Sequence, residues 1–389
     1  MIGTAPLRTR AGSPGAPEAL APAGSPEALA LVETPPAGVA TAAGEAPLLP
    51  QTDPITQMPI VILFPHSRCN CRCVMCDIWR DKRKQEIAVD DVARWLAEWR
   101  GLGVRKVLLS GGEALLHSRL WEMCAQLRAA GIGITVLSTG LLLKRDALEL
   151  ARYCEEVIVS LDGPEAVHDR IRDIPRAYAK LAEGVAALRC AAPALPVAGR
   201  CTVQRLNFRH LRATVAAARE LGLERISFLA ADVSTDAFNR PGSWGPERVE
   251  QVALAEEELP LLAAELAALA REHARDFADG FILESPEKLR RRLLQYYAAL
   301  HGQGDFHPNV CNAPWVSTVI EADGTVRPCF FQPALGNLHR EGSLGAILNS
   351  PAALAWRRGL DVQRDAICRK CVCTLAQRGA AASSVKELV

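Results

Sequence analysis

Alternating strand and helix patterns predict an α/β fold built on a parallel sheet. Short apolar runs typical of strands are separated by segments whose apolar residues recur three and four apart, as in 92–99 and 211–221. Six strand-helix units of this kind form a partial (β/α)6 TIM-like barrel, whose active site is expected at the C-terminal ends of the strands. The predicted strands are 60–64, 104–110, 132–138, 157–161, 197–203 and 226–230.

Changes in composition divide the chain into four predicted segments. Residues 1–53 are rich in Ala, Pro and Gly and contain no aromatic residue, so they are expected to be a disordered tail. Residues 54–230 hold the barrel. Residues 231–305 form a loop and a helical insertion, in which the basic run 290–292 is interpreted as a solvated helix face. Residues 306–389 form a small cysteine-rich domain with a hairpin turn at Asp323 and Gly324.

The charge balance argues against anionic partners. The 45 basic residues nearly cancel the 44 acidic ones, so neither nucleic acid nor a membrane surface is predicted as a partner. No apolar run reaches the roughly 18 residues of a membrane span, and the N-terminus lacks the apolar core of a signal peptide. A cytoplasmic protein is therefore expected, and its oligomeric state stays open.

The 13 cysteines fall into two groups and a scattered remainder. In a reducing compartment an odd number of cysteines favours metal ligands or buried thiols over disulfides. One group lies within 69–76 and the other within 311–373. The scattered cysteines are predicted to be buried in the core; they are Cys124, Cys154, Cys190 and Cys201.

The first cysteine group follows the first predicted strand and contains the spacing Cys-x3-Cys-x2-Cys at Cys69, Cys73 and Cys76. Three thiolates can hold three irons of a [4Fe-4S] cube and leave the fourth iron without a protein ligand. That iron can chelate an amine and a carboxylate, which the methionyl end of S-adenosylmethionine (SAM) presents. Four cysteines within eight residues can also hold a zinc ion, which is the alternative.

This loop resembles the signature of the radical SAM superfamily. The resemblance implies that Cys69, Cys73 and Cys76 are the cluster ligands and that Cys71 is a bystander. Met75 stands where the family usually has an aromatic residue, which changes no ligand.

Elements on later strands are similar to the SAM-binding elements of the same superfamily. The second strand ends in Gly111, Gly112 and Glu113, where the glycines permit close approach and the carboxylate is implied to accept from the SAM ammonium group. On the fourth and fifth strands, the resemblance implies contacts to SAM from Ser160 and Arg200, and Asp162 is implied either for the same site or for the turn.

The C-terminal cysteines resemble the SPASM and twitch extensions of radical SAM enzymes. The motif begins with Cys311, a later Gly324 and then Cys329. A full SPASM domain has more cysteines, so the shorter twitch form with one auxiliary [4Fe-4S] cluster is implied. Its implied ligands are Cys311, Cys329, Cys368 and Cys371, with Cys373 as an alternate, and zinc is again the alternative metal.

The resemblance implies an oxidoreductase, preferably a dehydrogenase, that cleaves SAM to a 5′-deoxyadenosyl radical. The radical takes a hydrogen atom from the substrate, and the auxiliary cluster accepts an electron. A flavodoxin- or ferredoxin-type reductant is the expected electron source.

The substrate class is inferred from composition, because no motif indicates it. The composition of 1–53 does not suggest a leader-binding domain, which favours a small molecule, such as a sugar, aminocyclitol or other secondary metabolite, over a peptide. The alternatives are a maturase of a ribosomally made peptide, an epimerase in which the Cys201 thiol returns a hydrogen atom, and a non-catalytic zinc protein. The helical insertion is a candidate cover for the substrate.

Overall fold

Nine strands form one sheet in the computed structural model, which describes residues 48–378. The sheet order is β6-β5-β4-β3-β2-β1-β7-β8-β9, so the first six strands lie in sequence order. The strands are β1 (Ile60–Leu63), β2 (Lys106–Leu109), β3 (Gly133–Ser138), β4 (Glu156–Ser160), β5 (Val197–Val203), β6 (Arg225–Ala230), β7 (Ser317–Ile320), β8 (Thr325–Arg327) and β9 (Gly336–Asn337).

All neighbouring pairs among β1 to β6 are parallel. Parallel neighbours need a crossover connection, and each crossover here contains at least one helix. This arrangement confirms the predicted α/β class. The helices are α1 (Val89–Gly101), α2 (Leu120–Ala129), α3 (Leu143–Tyr153), α4 (Glu165–Arg172), α5 (Ala177–Ala191), α6 (Leu211–Glu220), α7 (Pro246–Val252), α8 (Leu259–Glu272), α9 (Ala274–Ala278), α10 (Pro286–Leu289), α11 (Tyr296–Leu300), α12 (Ala313–Val316), α13 (Leu338–Glu341), α14 (Leu344–Leu348) and α15 (Pro351–Gly359).

Successive side chains on each strand point to opposite faces of the sheet. On β5, Cys201 and Val203 are buried in the main core with residues of the surrounding helices. Arg200 and Thr202, on the same strand, line a cavity on the other face. The helices therefore seal one face of the sheet, and the inner face is left for the functional site.

The helical insertion covers the free edge of the sheet at β6. The N–H of Ile226 donates to the carbonyl of Phe281 (2.7 Å), and the N–H of Leu283 donates to the carbonyl of Ile226 (3.0 Å). The carboxylate of Glu284 accepts from the N–H of Phe228 (3.1 Å). An uncovered edge strand is prone to pair with other chains, so this segment of the insertion protects the sheet.

Residues 48–53 pack on the folded chain. The N–H of Leu49 donates to the carbonyl of Gln377 (2.8 Å), and the guanidinium of Arg357 donates to the carboxylate of Asp53 (2.7 Å). The predicted disordered tail therefore ends too late, because a composition average cannot show that a few of its residues pair with a distant segment. The rest of that tail, 1–47, lies outside the described residues.

Residues after 306 extend the barrel sheet, because β7 pairs in parallel with β1. The division into four segments stays a prediction. One scattered cysteine departs from expectation: Cys190 is exposed near the end of α5, whereas Cys124, Cys154 and Cys201 are buried. Within 48–378, none of the helices combines the length and the apolar character needed to cross a membrane.

Candidate functional site

A cavity of about 230 Å³ lies at the C-terminal ends of the parallel strands. Its wall joins the first cysteine group to the ends of β2 to β6, where a barrel of this class carries its active site. The sequence-predicted residues in this wall are Cys69, Cys73, Cys76, Gly111, Gly112, Ser160 and Arg200. Polar wall residues that sequence reasoning missed are Ser138, Thr139, Arg172, Thr202 and Asp232.

The cysteine loop is fixed by contacts on two sides. The N–H groups of Arg72 and Val74 donate to the last carbonyls of α4, those of Arg172 (3.1 Å) and Ile171 (3.0 Å). On the other side, the Oγ1 of Thr139, after β3, lies 3.0 Å from the side-chain amide of Asn70, within hydrogen-bond distance. These contacts fix the position of the loop that carries the three thiols.

The environment of the three thiols is uneven. The pKa of Cys73 is lowered by the hydrogen bond from Cys71 and by the guanidinium of Arg172, against the opposing effect of burial. Burial raises the pKa of Cys76 to about 12, and the neighbouring charge of Cys73 adds to that rise. Metal ligation requires thiolates. The positive charge of Arg172, which lies beside Cys73, therefore favours cluster binding.

The donor set of the cavity fits an iron-sulfur cube better than a single zinc ion. Three thiolates on a cube bind three different irons, whereas the ligands of zinc surround one point. Within 48–378, no three His, Cys, Asp or Glu side chains are grouped closely enough to hold one ion. The Nε of Arg172, in the cavity wall, is buried and has no hydrogen-bond partner among the described residues. An anionic group bound in the cavity would supply one.

Two glycines let the end of β2 approach the cysteine loop. Gly111 has a positive φ of 99°, which favours glycine. A Cβ on Gly112 would lie 2.2 Å from the carbonyl oxygen of Arg68, next to the first cysteine. The N–H of Glu113 donates to that same oxygen (2.9 Å). The glycines are therefore needed for packing of the loop, whatever they contribute to SAM binding.

Gly112→Ala is expected to lower the free energy of unfolding by about 2 kcal/mol, the middle of the usual range for overpacking. The loop must move to relieve the clash, so iron content should fall as well. Thermal unfolding and iron analysis measure both effects. The control is Gly101→Ala at the end of α1, where a Cβ meets no atom within 4 Å. Equal stability of the two variants would contradict this account.

The carboxylate of Glu113 lies behind the cavity wall. It is fully buried, and it accepts hydrogen bonds from the Ser138 hydroxyl (3.0 Å) and from the N–H (2.7 Å) and hydroxyl (2.6 Å) of Thr139. Burial raises its pKa, and these hydrogen bonds oppose the rise. A direct contact of Glu113 with SAM stays a prediction, whereas Ser138 and Thr139 line the cavity themselves. Their position at the end of the third strand could have identified Ser138 and Thr139 as cavity residues from the sequence.

Asp162 also lies outside the cavity wall, and its contact with SAM stays a prediction. Its carboxylate forms a buried ion pair with Arg172 (2.5 Å) and accepts from the N–H of Thr202 (3.0 Å). Its own N–H donates to the Nδ1 of His168 (3.2 Å). Through these contacts the Asp162 carboxylate is held in place beside the Arg172 guanidinium.

Cys201 does not face the cavity. Its neighbours Arg200 and Thr202 line the wall, and strand alternation turns the thiol towards the helices. The thiol is fully buried and accepts from the side-chain amide of Asn207 (3.5 Å). The hypothesis that Cys201 returns a hydrogen atom to a substrate radical therefore lacks the required access.

The C-terminal cysteines converge from three separate segments. Burial raises the pKa of Cys329 to about 12, and charges on Cys311 and Cys373 add to that rise. Burial and the charges of Cys373, Cys329 and Cys311 also raise the pKa of Cys371. The charges of these four thiols therefore interact with one another, as expected of residues grouped at one site.

Cys368 and Cys373 differ in their surroundings. Cys368 accepts from the side-chain amide of Gln332 (3.2 Å), and its cysteine neighbour is Cys329. Cys373 interacts with more of the other thiols and also lines the first cavity. The ligand set with Cys368, and Cys373 as the alternate, stays a prediction.

One residue of the predicted solvated run 290–292 lies beside these thiols. The guanidinium of Arg292 donates to the side chains of Asn309 (2.8 Å) and Thr374 (2.6 Å). Its positive charge interacts with Cys371 and Cys373. The helix period could not reveal this contact, because it depends on where the C-terminal segment folds back.

A second cavity of about 680 Å³ adjoins the first, a size within the range of ligand-binding pockets. Both cavities are lined by Ile78, Gly112, Phe238, Phe330 and Phe331. The three rings lie together, with centroids 5.8 Å apart for Phe238 and Phe331 and 6.3 Å apart for Phe330 and Phe331. We refer to Phe238, Phe330 and Phe331 as the aromatic wall.

Charged side chains line the second cavity beyond the aromatic wall. Two ion pairs lie there, Arg83 with Asp81 (2.8 Å) and Arg327 with Glu321 (2.5 Å). The charge of Arg83 also interacts with Asp323 on the turn between β7 and β8. The cavity therefore lies between the segment that follows the cysteine loop and the C-terminal hairpin.

Two protein-family models match the chain. The radical SAM superfamily model matches residues 63–229, and the iron-sulfur cluster-binding SPASM model matches residues 311–372. Together they match more than half of the chain. The first spans β1 to β6, and the second spans the converging C-terminal cysteines except Cys373.

Curated relatives divide by how much of the chain they match. The AdoMet-dependent heme synthase of Methanosarcina barkeri is 29% identical over 40% of this chain, which spans 45% of that protein. The PqqA peptide cyclase of Ruegeria pomeroyi is 26% identical over 85% of this chain and 83% of its own length. The subtilosin biosynthesis protein AlbA of Bacillus subtilis is 25% identical over 76% of this chain and 60% of its own.

Solved structures share the fold. SuiB of Streptococcus suis bound to its precursor peptide SuiA has a TM-score of 0.56 at 13% identity, over 82% of this chain and 72% of SuiB. The structure of anSMEcpe with AdoMet and the Cp18Cys peptide has a TM-score of 0.57 at 17% identity, over 83% of this chain and 91% of that one. At these identities the likeness shows the fold alone.

The expectation of a small-molecule substrate is wrong, because relatives that match most of the chain are peptide cyclases and bacteriocin maturation proteins. That expectation rested on the composition of 1–53, which carries no information about what the folded part of the chain binds. The two domains imply a SAM-binding [4Fe-4S] cluster and an auxiliary iron-sulfur cluster as cofactors. The chain is a radical SAM superfamily enzyme with a C-terminal SPASM-type iron-sulfur domain.

Proposed function

We propose that this enzyme modifies a ribosomally made peptide by removing a hydrogen atom from one of its residues, after which the residue loses one electron to the auxiliary cluster and one proton. The observation that carries the proposal is the second cavity, which is about three times the volume of the first and separated from it by the aromatic wall. Relatives named for peptide cyclisation and bacteriocin biosynthesis, which match most of the chain, support the same substrate class.

The first cavity has the residues that a SAM-bound cluster requires. We assign Cys69, Cys73 and Cys76 as cluster ligands, since all three face one cavity. The hydroxyls of Ser138, Thr139 and Ser160 and the guanidinium of Arg200 surround the remaining space, where they suit the amine and carboxylate of SAM. When bound, the cluster and SAM supply the hydrogen-abstracting radical.

The second cavity suits an extended peptide segment. Its aromatic wall offers ring faces against which an apolar or aromatic side chain can pack. Its charged side offers carboxylates and guanidiniums, which suit the polar backbone and neighbouring side chains of a peptide. A peptide in this position places one residue at the boundary between the cavities, next to the space assigned to SAM.

The chain's own residues then position the reacting residue and exclude water. The rings of Phe330 and Phe331 follow Cys329 directly, so their position is set by the C-terminal cysteine site. Phe238 is fixed on the other side, because its carbonyl accepts from the N–H of Asp77 (3.2 Å), immediately after Cys76. The aromatic wall is thus attached to both cysteine sites, so its position is fixed relative to the places assigned to the two clusters.

The test is co-expression of the enzyme with short open reading frames adjacent to its gene, followed by mass spectrometry of the peptides. The expected result is a peptide that loses two hydrogens only when SAM-cleaving enzyme is present. Turnover of a candidate sugar or aminocyclitol, with every neighbouring peptide unchanged, would overturn the proposal.

Phe330→Ala tests the position assigned to the peptide. Loss of the ring leaves the reacting residue poorly held, so peptide modification should fall about 10-fold or more while SAM is still cleaved, now without product. The ratio of 5′-deoxyadenosine to modified peptide measures this uncoupling. The control is Phe277→Ala on α9, a partly buried ring that lines neither cavity. An unchanged ratio in Phe330→Ala would show that the peptide does not contact the wall.

A further inference from the structure

Arg172 links the cysteine loop to a buried carboxylate. It is the last residue of α4, it is 6% exposed, and it lines the first cavity. One guanidinium nitrogen donates to the Sγ of Cys73 (3.4 Å), and another forms the ion pair with Asp162 (2.5 Å). Asp162 is itself fully buried and is held by the N–H of Thr202 (3.0 Å).

These side-chain contacts are additional to backbone contacts that hold the loop. The loop is already bound to the end of α4 by backbone hydrogen bonds from Arg72 and Val74. Burying a guanidinium is costly unless it is paired, and the Asp162 carboxylate reduces that cost. The third guanidinium nitrogen, Nε, is buried without a partner among the described residues. The Arg172 guanidinium is thus held beside Cys73, and its Nε can still donate a hydrogen bond.

We propose that Arg172 is a positioning residue that raises the reduction potential of the first cluster, with Asp162 orienting it and moderating its charge. One electron from a flavodoxin- or ferredoxin-type donor makes the cluster more negative. A cation and a hydrogen bond at the sulfur of Cys73 stabilise that reduced state, because sulfur hydrogen bonds and net charge set cluster potentials. This inference rests on the assignment of Cys73 as a ligand and not on the substrate class.

The test uses the reconstituted full chain and a potentiometric titration followed by electron paramagnetic resonance. The signal that changes when SAM is added identifies the first cluster. Arg172→Met should lower its potential, so that the reduced fraction at a fixed donor potential falls about 10-fold, which is about 59 mV for one electron. Asp162→Asn should raise the potential, because the positive charge is then less compensated. Arg172→Lys keeps the charge and should remain closer to the native potential than Arg172→Met.

The matched control is Arg170→Met, an exposed arginine on the same helix, which should leave the potential unchanged. Native potentials in Arg172→Met and Asp162→Asn, at full iron content, would overturn the proposal. If Arg172→Met loses iron, Asp162→Asn decides. A native potential in Asp162→Asn, at full iron content, would show that the charge of Arg172 does not act on the cluster, which also overturns the proposal. Since no peptide is used, failure here is separate from failure of the proposed function.

Discussion

Cys73→Ala is expected to abolish SAM cleavage and to remove about half of the iron from the purified protein. A cube that loses one of three thiolates is no longer retained at this loop. The loss should exceed the 10–100-fold that removal of an outer partner of a metal site typically costs, because a direct ligand is removed. Anaerobic iron and sulfide analysis, with chromatography of 5′-deoxyadenosine, measures both effects. Cys69→Ala and Cys76→Ala should behave alike.

Cys71→Ala is the matched control for this prediction. Cys71 lies in the same loop and is fully buried, but it does not line the cavity. It contributes to the lowered pKa of Cys73, so its removal should weaken the cluster site slightly and leave all the iron in place. If Cys71→Ala lost as much iron as Cys73→Ala, the assignment of Cys69, Cys73 and Cys76 as ligands would be wrong.

The barrel was predictable because its strands are buried on both faces. Such strands appear as short continuous apolar runs, and the runs 104–110 and 132–138 contain the observed β2 and β3. The cysteine loop and the two glycines were also predictable, because each directly follows a strand. Parallel strands bring their C-terminal ends to one edge, so residues that end different strands meet there.

Side-chain direction at these strand ends was less predictable. Asp162 lies two residues beyond Ser160, yet only Ser160 faces the cavity, because the chain has left the sheet by then. Arg172 lies ten residues farther along and reaches the cavity from the end of a helix. Its role depends on how α4 packs on the cysteine loop, and a motif centred on strand ends does not contain that information.

Cys329→Ala is expected to abolish peptide modification while SAM cleavage continues. The Cys329 thiol interacts with the thiols of Cys311, Cys371 and Cys373 in the C-terminal cysteine site. Loss of this ligand should therefore remove about half of the iron and leave the first cluster in place. The substrate radical then lacks its electron acceptor, so 5′-deoxyadenosine should form without modified peptide. Cys190→Ala, at an exposed cysteine on α5, is the control.

The same measurement decides between Cys368 and Cys373. If Cys368 is the fourth ligand, Cys368→Ala loses the auxiliary iron and Cys373→Ala keeps it. The close interaction of Cys373 with the other thiols favours the reverse outcome, and Cys368 has a protein donor, Gln332, for its sulfur. Retention of the iron by both single variants would mean that either thiol can complete the site.

Retention of both iron and peptide modification by Cys329→Ala would refute an electron-accepting cluster at this position.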